Sequence, residues 1–173
     1  MDGQWGRSRF QSSVLRLGDN GYWDEYGILM VFFCGSIRMI HTLNISVRGQ
    51  GLSAFTQEVA AVVARAGTEE GLCTLFIQHT SASLLIQENY DPSAQADLES
   101  WLNRLVPERD PIYTHTLEGD DDMPAHIKSA LTATSLSIPI VEGRLALGTW
   151  QGIYLWEHRT APNTRKVIMH IGS

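Results

Sequence analysis

Apolar and polar residues alternate strictly from Leu43 to Val47, with Leu43, Ile45 and Val47 set against Asn44 and Ser46. A period of two predicts a strand with one buried face. Gly49 and Gly51 punctuate a turn, after which Phe55, Val59, Val62, Val63 and Ala66 recur at helical spacing. Gly67 stands just past that helix, where a left-handed residue is favoured. The runs Leu72–Ile77 and Leu84–Gln87 predict two short strands around the polar link His79–Ser83. Asp91-Pro92 marks a helix start, Asp as the cap and Pro at the first helical position. Leu98, Trp101, Leu102 and Leu105 form that helix's apolar face, and Pro107 follows its end. A second helix is expected from Pro124 to about Thr134. Leu136–Val141, Arg144–Leu147, Ile153–His158 and Lys166–Ile171 then read as strands, with turns at Glu142-Gly143 and Pro162-Asn163.

Strands outnumber helices and follow them in a run, which predicts an α+β fold rather than a doubly wound sheet. There is no internal repeat and no low-complexity segment. Residues 1–38 read differently: Arg7, Arg9, Gly18, Gly21 and Gly27 interrupt any periodicity. The expected domain is therefore 39–173, with 1–38 an N-terminal extension outside the core and Met39 the expected start. Within the extension, the apolar run Ile28–Cys34 reads as an edge strand or as residue upstream of the true start.

Composition narrows the function classes. A length of 173 residues fits one domain, and 43% hydrophobic with 18% charged residues is ordinary globular material. The net charge of −6, with Lys128 and Lys166 the only lysines, excludes a general nucleic-acid binder, which needs a basic footprint. Cys34 and Cys73 make neither a disulfide framework nor a metal-ligand spacing, and Cys73 sits in an apolar run where a buried, inert thiol is expected. The run Ile28–Cys34 follows Asp24 and Glu25, unlike a secretory signal, and is far shorter than the roughly 20 residues of a membrane span. The reducing cytoplasm, with no membrane partner, is the expected setting.

Several catalytic signatures are missing. Gly143–Thr149 lacks the lysine of a phosphate-binding Walker loop, and there is no G-x-G-x-x-G or G-x-S-x-G pattern. His79 precedes Thr80, Ser81 and Ser83, yet neighbours on a strand point to opposite faces, so His79 is poorly placed to activate them. The strongest constellation is Tyr113–His126, in which His115 and His126 flank Glu118, Asp120, Asp121 and Asp122. Imidazole with carboxylate suits zinc, manganese or iron, whereas carboxylates alone favour magnesium or calcium. His126 is expected in the first turn of its helix, where the dipole disfavours imidazolium and leaves the neutral ring a metal requires. The competing account is a solvated acidic loop that stabilises a helix start. A second cluster, Gln87–Pro92, places Glu88 and Asn89 at a strand end, with Asp91 sufficiently explained as a cap. A third joins Gly143-Arg144 to Gly148–Gly152: Arg144 offers a forked phosphate contact, and the glycines permit close backbone approach or simply form a hairpin and bulge. His41, His158 and His170 read as packed or surface residues.

These same stretches carry a resemblance. Gln78-His79-Thr80-Ser81-Ala82-Ser83-Leu84, Glu88–Pro92, Glu118–Ser129 and Gly143–Arg159 resemble the YjbQ family in order and spacing, from Met39 to Gly172. The most specific pieces are Glu118-Gly119-Asp120-Asp121-Asp122-Met123-Pro124-Ala125-His126-Ile127-Lys128-Ser129 and Gly148-Thr149-Trp150-Gln151-Gly152-Ile153. The resemblance implies packed mixed β-sheets in a sandwich-like arrangement with flanking helices, and a homotrimer with sites near subunit boundaries. It also implies secondary thiamine-phosphate synthase activity, joining hydroxymethylpyrimidine diphosphate to thiazole phosphate with release of diphosphate. The family's polar signature falls on His79, Glu88, Asn89, Asp91, His115, Asp122 and His126, and residues 1–38 lie outside its pattern. The resulting expectation is a metal site of His115, His126 and Asp122 holding a divalent zinc, manganese or magnesium ion. His79, Glu88 and Arg144 are expected as catalytic groups, and Asn89, Asp91, Lys128, Thr149 and Gln151 as contacts to a phosphorylated small-molecule substrate. The alternatives are a metal-dependent enzyme on another phosphorylated compound and a non-catalytic metal- or ligand-binding homotrimer.

Overall fold

The computed structural model describes residues 39–173, together with the backbone of Leu15–Arg16, Gly21–Trp23, Leu29–Phe33 and 36–38. In chain order the elements are β1 (Leu15–Arg16), β2 (Gly21–Trp23), β3 (Leu29–Phe33), β4 (Ser36–Val47), β5 (Gly51–Ala54), α1 (Thr56–Ala66), β6 (Gly71–Ile77) and β7 (Ala82–Glu88). They continue with α2 (Pro92–Leu105), α3 (Asp122–Leu131), β8 (Ser135–Val141), β9 (Arg144–Leu145), β10 (Gln151–Glu157) and β11 (Asn163–Gly172). Two sheets form, one ordered β1-β2-β3-β4-β11-β6-β8-β9 and the other β5-β10-β7. The fold is α+β, and every pairing among the described strands is antiparallel, where the resemblance implied mixed sheets.

Alternation decides which faces meet. Along β4, Leu43, Ile45 and Val47 are buried while Asn44 and Ser46 are exposed; opposite them on β11, Val167, Met169 and Ile171 are buried. These side chains join Leu75 and Ile77 of β6, Ile138 and Ile140 of β8, Leu84 of β7 and Ile153 and Leu155 of β10 in one core between the sheets. Val59, Val62, Val63 and Ala66 bring α1 into the same core, and Gly67 ends that helix at φ 64° as its position predicted. Cys73 is fully buried there, and burial pushes its thiol up to about 12, far from the reactive range.

Strand β10 is the centre of the smaller sheet and is buried on both faces. Ile153 and Leu155 face the main core, while Trp156 faces the opposite way into a second cluster with Leu102 and Val106, flanked by Leu52, Leu85, Leu98 and Ile127. Helix α2 thus covers the outer face of the smaller sheet. The Asp91 side chain caps it, accepting from Ser93 N–H at 2.8 Å. Only part of its expected apolar face is used: Trp101 and Leu105 are 52% and 53% exposed. The helix rests on the Leu98–Leu102 line, which turns those two residues aside.

Three expectations change. Helix α3 begins at Asp122 rather than Pro124, and it ends at Leu131 rather than Thr134. Pro124 fits the third helical position because amides of the first turn have no intrahelical acceptor to lose. The Thr132 hydroxyl donates to the Lys128 carbonyl at 2.7 Å and Thr132 turns extended, which closes the helix. Strand β5 was not expected at all; it is short, and its pairing with β10 supplies what its sequence pattern lacks. Finally, β4 runs without a break through the expected boundary at Met39, and β3 pairs with its first half. Most of residues 1–38, and with them the expected start at Met39, lie outside the described residues. Among the described residues no helix is long and apolar enough to cross a membrane.

The register also fixes two distant ends. Glu157 pairs with Ala82 at one end of β10, and Gln151 pairs with Glu88 at the other. Six strand steps of 3.2–3.4 Å separate them by about 20 Å. In the larger sheet Ser135 pairs with Phe76 at the first end, whereas Val141 pairs with Arg144 at the second.

Candidate functional site

The first end gathers the histidine- and acid-rich segment. Because α3 starts at Asp122, Asp122 and His126 are four residues apart on one helix and share a face. His126 therefore lies in the second turn, one turn further in than expected. His115, on the preceding loop, turns its Nε2 to within 2.8 Å of Asp122 Oδ2, and His126 Nε2 lies 3.3 Å from the same oxygen. The two imidazole centroids are 5.6 Å apart. One ligand atom from each of His115, Asp122 and His126 falls within 4.8 Å of the others.

Each group is held from behind. His126 Nδ1 lies 3.2 Å from the Thr80 carbonyl, which can only accept, so Nδ1 carries the proton and Nε2 is the lone-pair nitrogen. The other Asp122 oxygen, Oδ1, accepts from Arg159 Nη1. Arg159 also reaches the Glu118 carbonyl at 2.7 Å and Asp121 Oδ2 at 3.2 Å. Asp121 Oδ2 further accepts the Thr160 amide and hydroxyl at 2.8 and 3.0 Å. Burial pushes the Asp121 carboxyl up, but these Thr160 and Arg159 hydrogen bonds outweigh it and hold it below the ordinary range. Asp122 is 2% exposed, so its free oxygen is aimed by structure rather than by solvent. A cleft of about 230 Å³ opens beside His115, lined also by Arg109, Tyr113, Asp120 and Met123.

Two nitrogens and one carboxylate oxygen, deprotonated and buttressed, are a donor set that fits a divalent metal with coordination positions left for substrate. The 2.8 Å contact from His115 requires a proton on its Nε2, and a metal takes the place of that proton.

His79 sits at the same end but faces elsewhere. Its Nδ1 is 3.2 Å from Arg165 Nη1 and its Nε2 3.3 Å from the Lys166 amide. Both partners are donors, and a neutral imidazole has one accepting nitrogen, so only one contact is a hydrogen bond at a time. Burial, and then the Arg165 charge, hold the ring below its ordinary pKa. Arg165 in turn grips Glu157 with Nε–Oε2 at 2.5 Å and Nη2–Oε1 at 2.6 Å, a forked pair buried between the sheets. Lys128 is 2% exposed, and its ammonium donates to Asn103 Oδ1 at 2.7 Å, so in this chain it is an interior tie rather than a phosphate grip. Ser83 pairs at 3.0 Å with His158, not with His79, in a fully buried dyad.

The remaining expected residues are elsewhere. Glu88, Asn89, Thr149 and Gln151 belong to the opposite end, about 20 Å away along β10, and Arg144 lies on an exposed hairpin at that same end of the larger sheet. Asp91 is occupied in capping α2. The trio His79, Glu88 and Arg144 is therefore not assembled within one chain. Sequence reading missed Arg159, Asp121 as a separate buttress, and the Glu157–Arg165 pair. The signal lay in Glu157-His158-Arg159, three polar residues closing a strand of apolar ones.

Residues 41–173 match the model of the family described as UPF0047 protein YjbQ-like. The UPF0047 protein sll1880 of Synechocystis is 56% identical over 129 residues, 75% of this chain and 88% of that protein. The UPF0047 protein YjbQ of Escherichia coli O157:H7 is 44% identical over 128 residues, covering 73% and 92%. A crystal structure of a yjbq/upf0047 family protein from Clostridium acetobutylicum superposes with a TM-score of 0.67 at 36% identity, covering 76% of this chain and 98% of that one. Another, from Thermus thermophilus, gives 0.66 at 35% identity, covering 74% and 97%. The chain belongs to the UPF0047 YjbQ-like family.

Proposed function

We propose that the protein is a divalent-metal-dependent enzyme acting on a phosphorylated small molecule, with thiamine-phosphate synthesis as its reaction. The observation that carries this reading is the convergence of His115, Asp122 and His126, with the His126 tautomer set by Thr80 and Asp122 oriented by Arg159. In that reaction a thiazole nitrogen forms a bond to the pyrimidine methylene carbon, and the carbon–oxygen bond to diphosphate breaks with the electron pair leaving on oxygen. A metal bound by the trio supplies Lewis-acid neutralisation of phosphoryl oxygens. The chain's own part is to hold the ligand atoms in place, and to present the cleft beside His115 to the substrate. His79, neutral and at the same end, is the nearest candidate to accept a proton. A homotrimer belongs to the same proposal, with a sedimentation mass of three chains as its measure.

The test is formation of thiamine phosphate by metal-defined protein, beside His126→Ala and a chelated sample. Product lost in both supports the reading. Metal bound at His126 without product points to a metal-binding protein or an enzyme on another phosphorylated compound, and equal product in all three samples sinks it.

A further inference from the structure

The opposite end of the smaller sheet holds a second cleft, of about 380 Å³, lined by Ile86, Gln87, Glu88, Tyr90, Trp150 and Gln151. Its size lies within the range of small-molecule sites. Tyr90 and Trp150 stand 71% and 56% exposed, their rings 4.7 Å apart at 69°. Perpendicular aromatic rings form a corner with two electron-rich faces, and leaving both in water is costly for a surface without a ligand.

The polar groups around this corner are fixed. Gln151 Oε1 accepts Gly148 N–H at 2.8 Å, and Gln87 Oε1 accepts Glu88 N–H at 2.9 Å. The Asn89 amide N–H donates to the Trp150 carbonyl at 3.0 Å, and its side chain donates to the Gln151 carbonyl at 3.3 Å, which ties the two rims together. Tyr154 OH donates to the Glu88 carbonyl at 3.0 Å, so the Glu88 backbone is held as well. Its half-buried carboxylate, by contrast, makes no hydrogen bond or ion pair with any other described residue. A carboxylate without a partner beside two aromatic faces is the arrangement that recognises a cation through charge and ring quadrupole together.

We infer that this cleft binds a flat cationic nitrogen group, an amidinium or a protonated amino-heterocycle, seated against Tyr90 and Trp150 with its N–H donors on Glu88. The site shares no residue with the metal centre and lies about 20 Å from it along β10, so either assignment can fail alone.

Benzamidinium and its neutral analogue benzamide are suitable probes, followed by the indole N–H resonance that disappears in Trp150→Phe. Benzamidinium is expected to shift that resonance and to bind at least about tenfold tighter than benzamide, as one charge-assisted contact requires. Glu88→Gln is expected to remove the difference, and His126→Ala to leave it intact. Equal binding of the two probes, no shift with either at tens of millimolar, or a preference that survives Glu88→Gln would each overturn the inference. So would a change of sedimentation mass in Trp150→Ala, which would make the corner a contact between copies of the chain.

Discussion

His126 and Thr80 are joined by a hydrogen bond of 3.2 Å from the ring Nδ1–H to the main-chain carbonyl, across 46 positions of sequence. A backbone acceptor cannot change its role, so it commits the imidazole to one tautomer and leaves Nε2 turned toward Asp122.

From this follows an expectation for metal binding. Dialysis against zinc or manganese should leave about one ion per chain, and His126→Ala should lower affinity by roughly 100-fold or more, since a ligand matters at least as much as the groups behind it. Metal analysis after gel filtration measures it. Undiminished metal in His126→Ala, with the fold intact by circular dichroism, contradicts the centre.

The forked pair between Glu157 and Arg165 should be costly to break from one side. Both residues are nearly inaccessible, 0% and 5% exposed, so Arg165→Met leaves a buried carboxylate without its counter-charge. A loss of about 3–5 kcal/mol in denaturant unfolding is expected. Arg165→Met combined with Glu157→Gln should recover much of that loss, because the residual charge is gone. A double variant as unstable as the single one argues against this account.

His158 should make stability depend on pH. Burial, followed by the Lys128 and Arg165 charges, lowers its pKa from 6.5 to about 3. The unfolded chain therefore takes up this proton more readily than the folded one, and the folded state loses stability as pH falls below 6.5 towards 3. Above 6.5 the contribution is fully present. Between pH 7 and pH 5 the loss from this group alone is about 2 kcal/mol. Urea unfolding at the two values, for wild type and His158→Gln, should show a shallower dependence in the variant; the same slope in both excludes His158 as the source.

The β8–β9 hairpin turns through Glu142 at φ 51° and Gly143 at φ 71°. Two positive φ values make the tight turn in which asparagine-glycine is favoured, and glutamate pays a steric penalty at the first position. Glu142→Asn should raise stability by about 0.5–1 kcal/mol, read as an increase in the urea midpoint at unchanged slope. A lower midpoint would show that the Glu142 side chain contributes something the turn geometry does not reveal.

The interaction of near neighbours was enough to specify many elements. The Asp91-Pro92 start, the Gly67 stop and the alternation of Leu43, Ile45 and Val47 all appear in the structure, because capping and periodicity depend on residues a few positions apart. Short elements without such patterns were harder: β5 exists through its pairing with β10, and α3 starts two residues before its proline because proline is tolerated throughout the first turn.

The metal ligands were legible for a similar reason. His115, Asp122 and His126 lie within one short stretch, and Asp122 and His126 need only a helix to meet. Their supports were not. Thr80 is 46 positions from His126, Arg159 is 37 from Asp122, and Arg165 is 86 from His79. Nor does local pattern say that His79 and Glu88, nine positions apart, fall at opposite ends of the smaller sheet, while Glu88 and Gln151 face each other across 63 positions. Periodicity sets which face of a strand a residue occupies; its neighbours across the sheet follow from register, and register is chosen when the apolar faces of the whole chain are buried together.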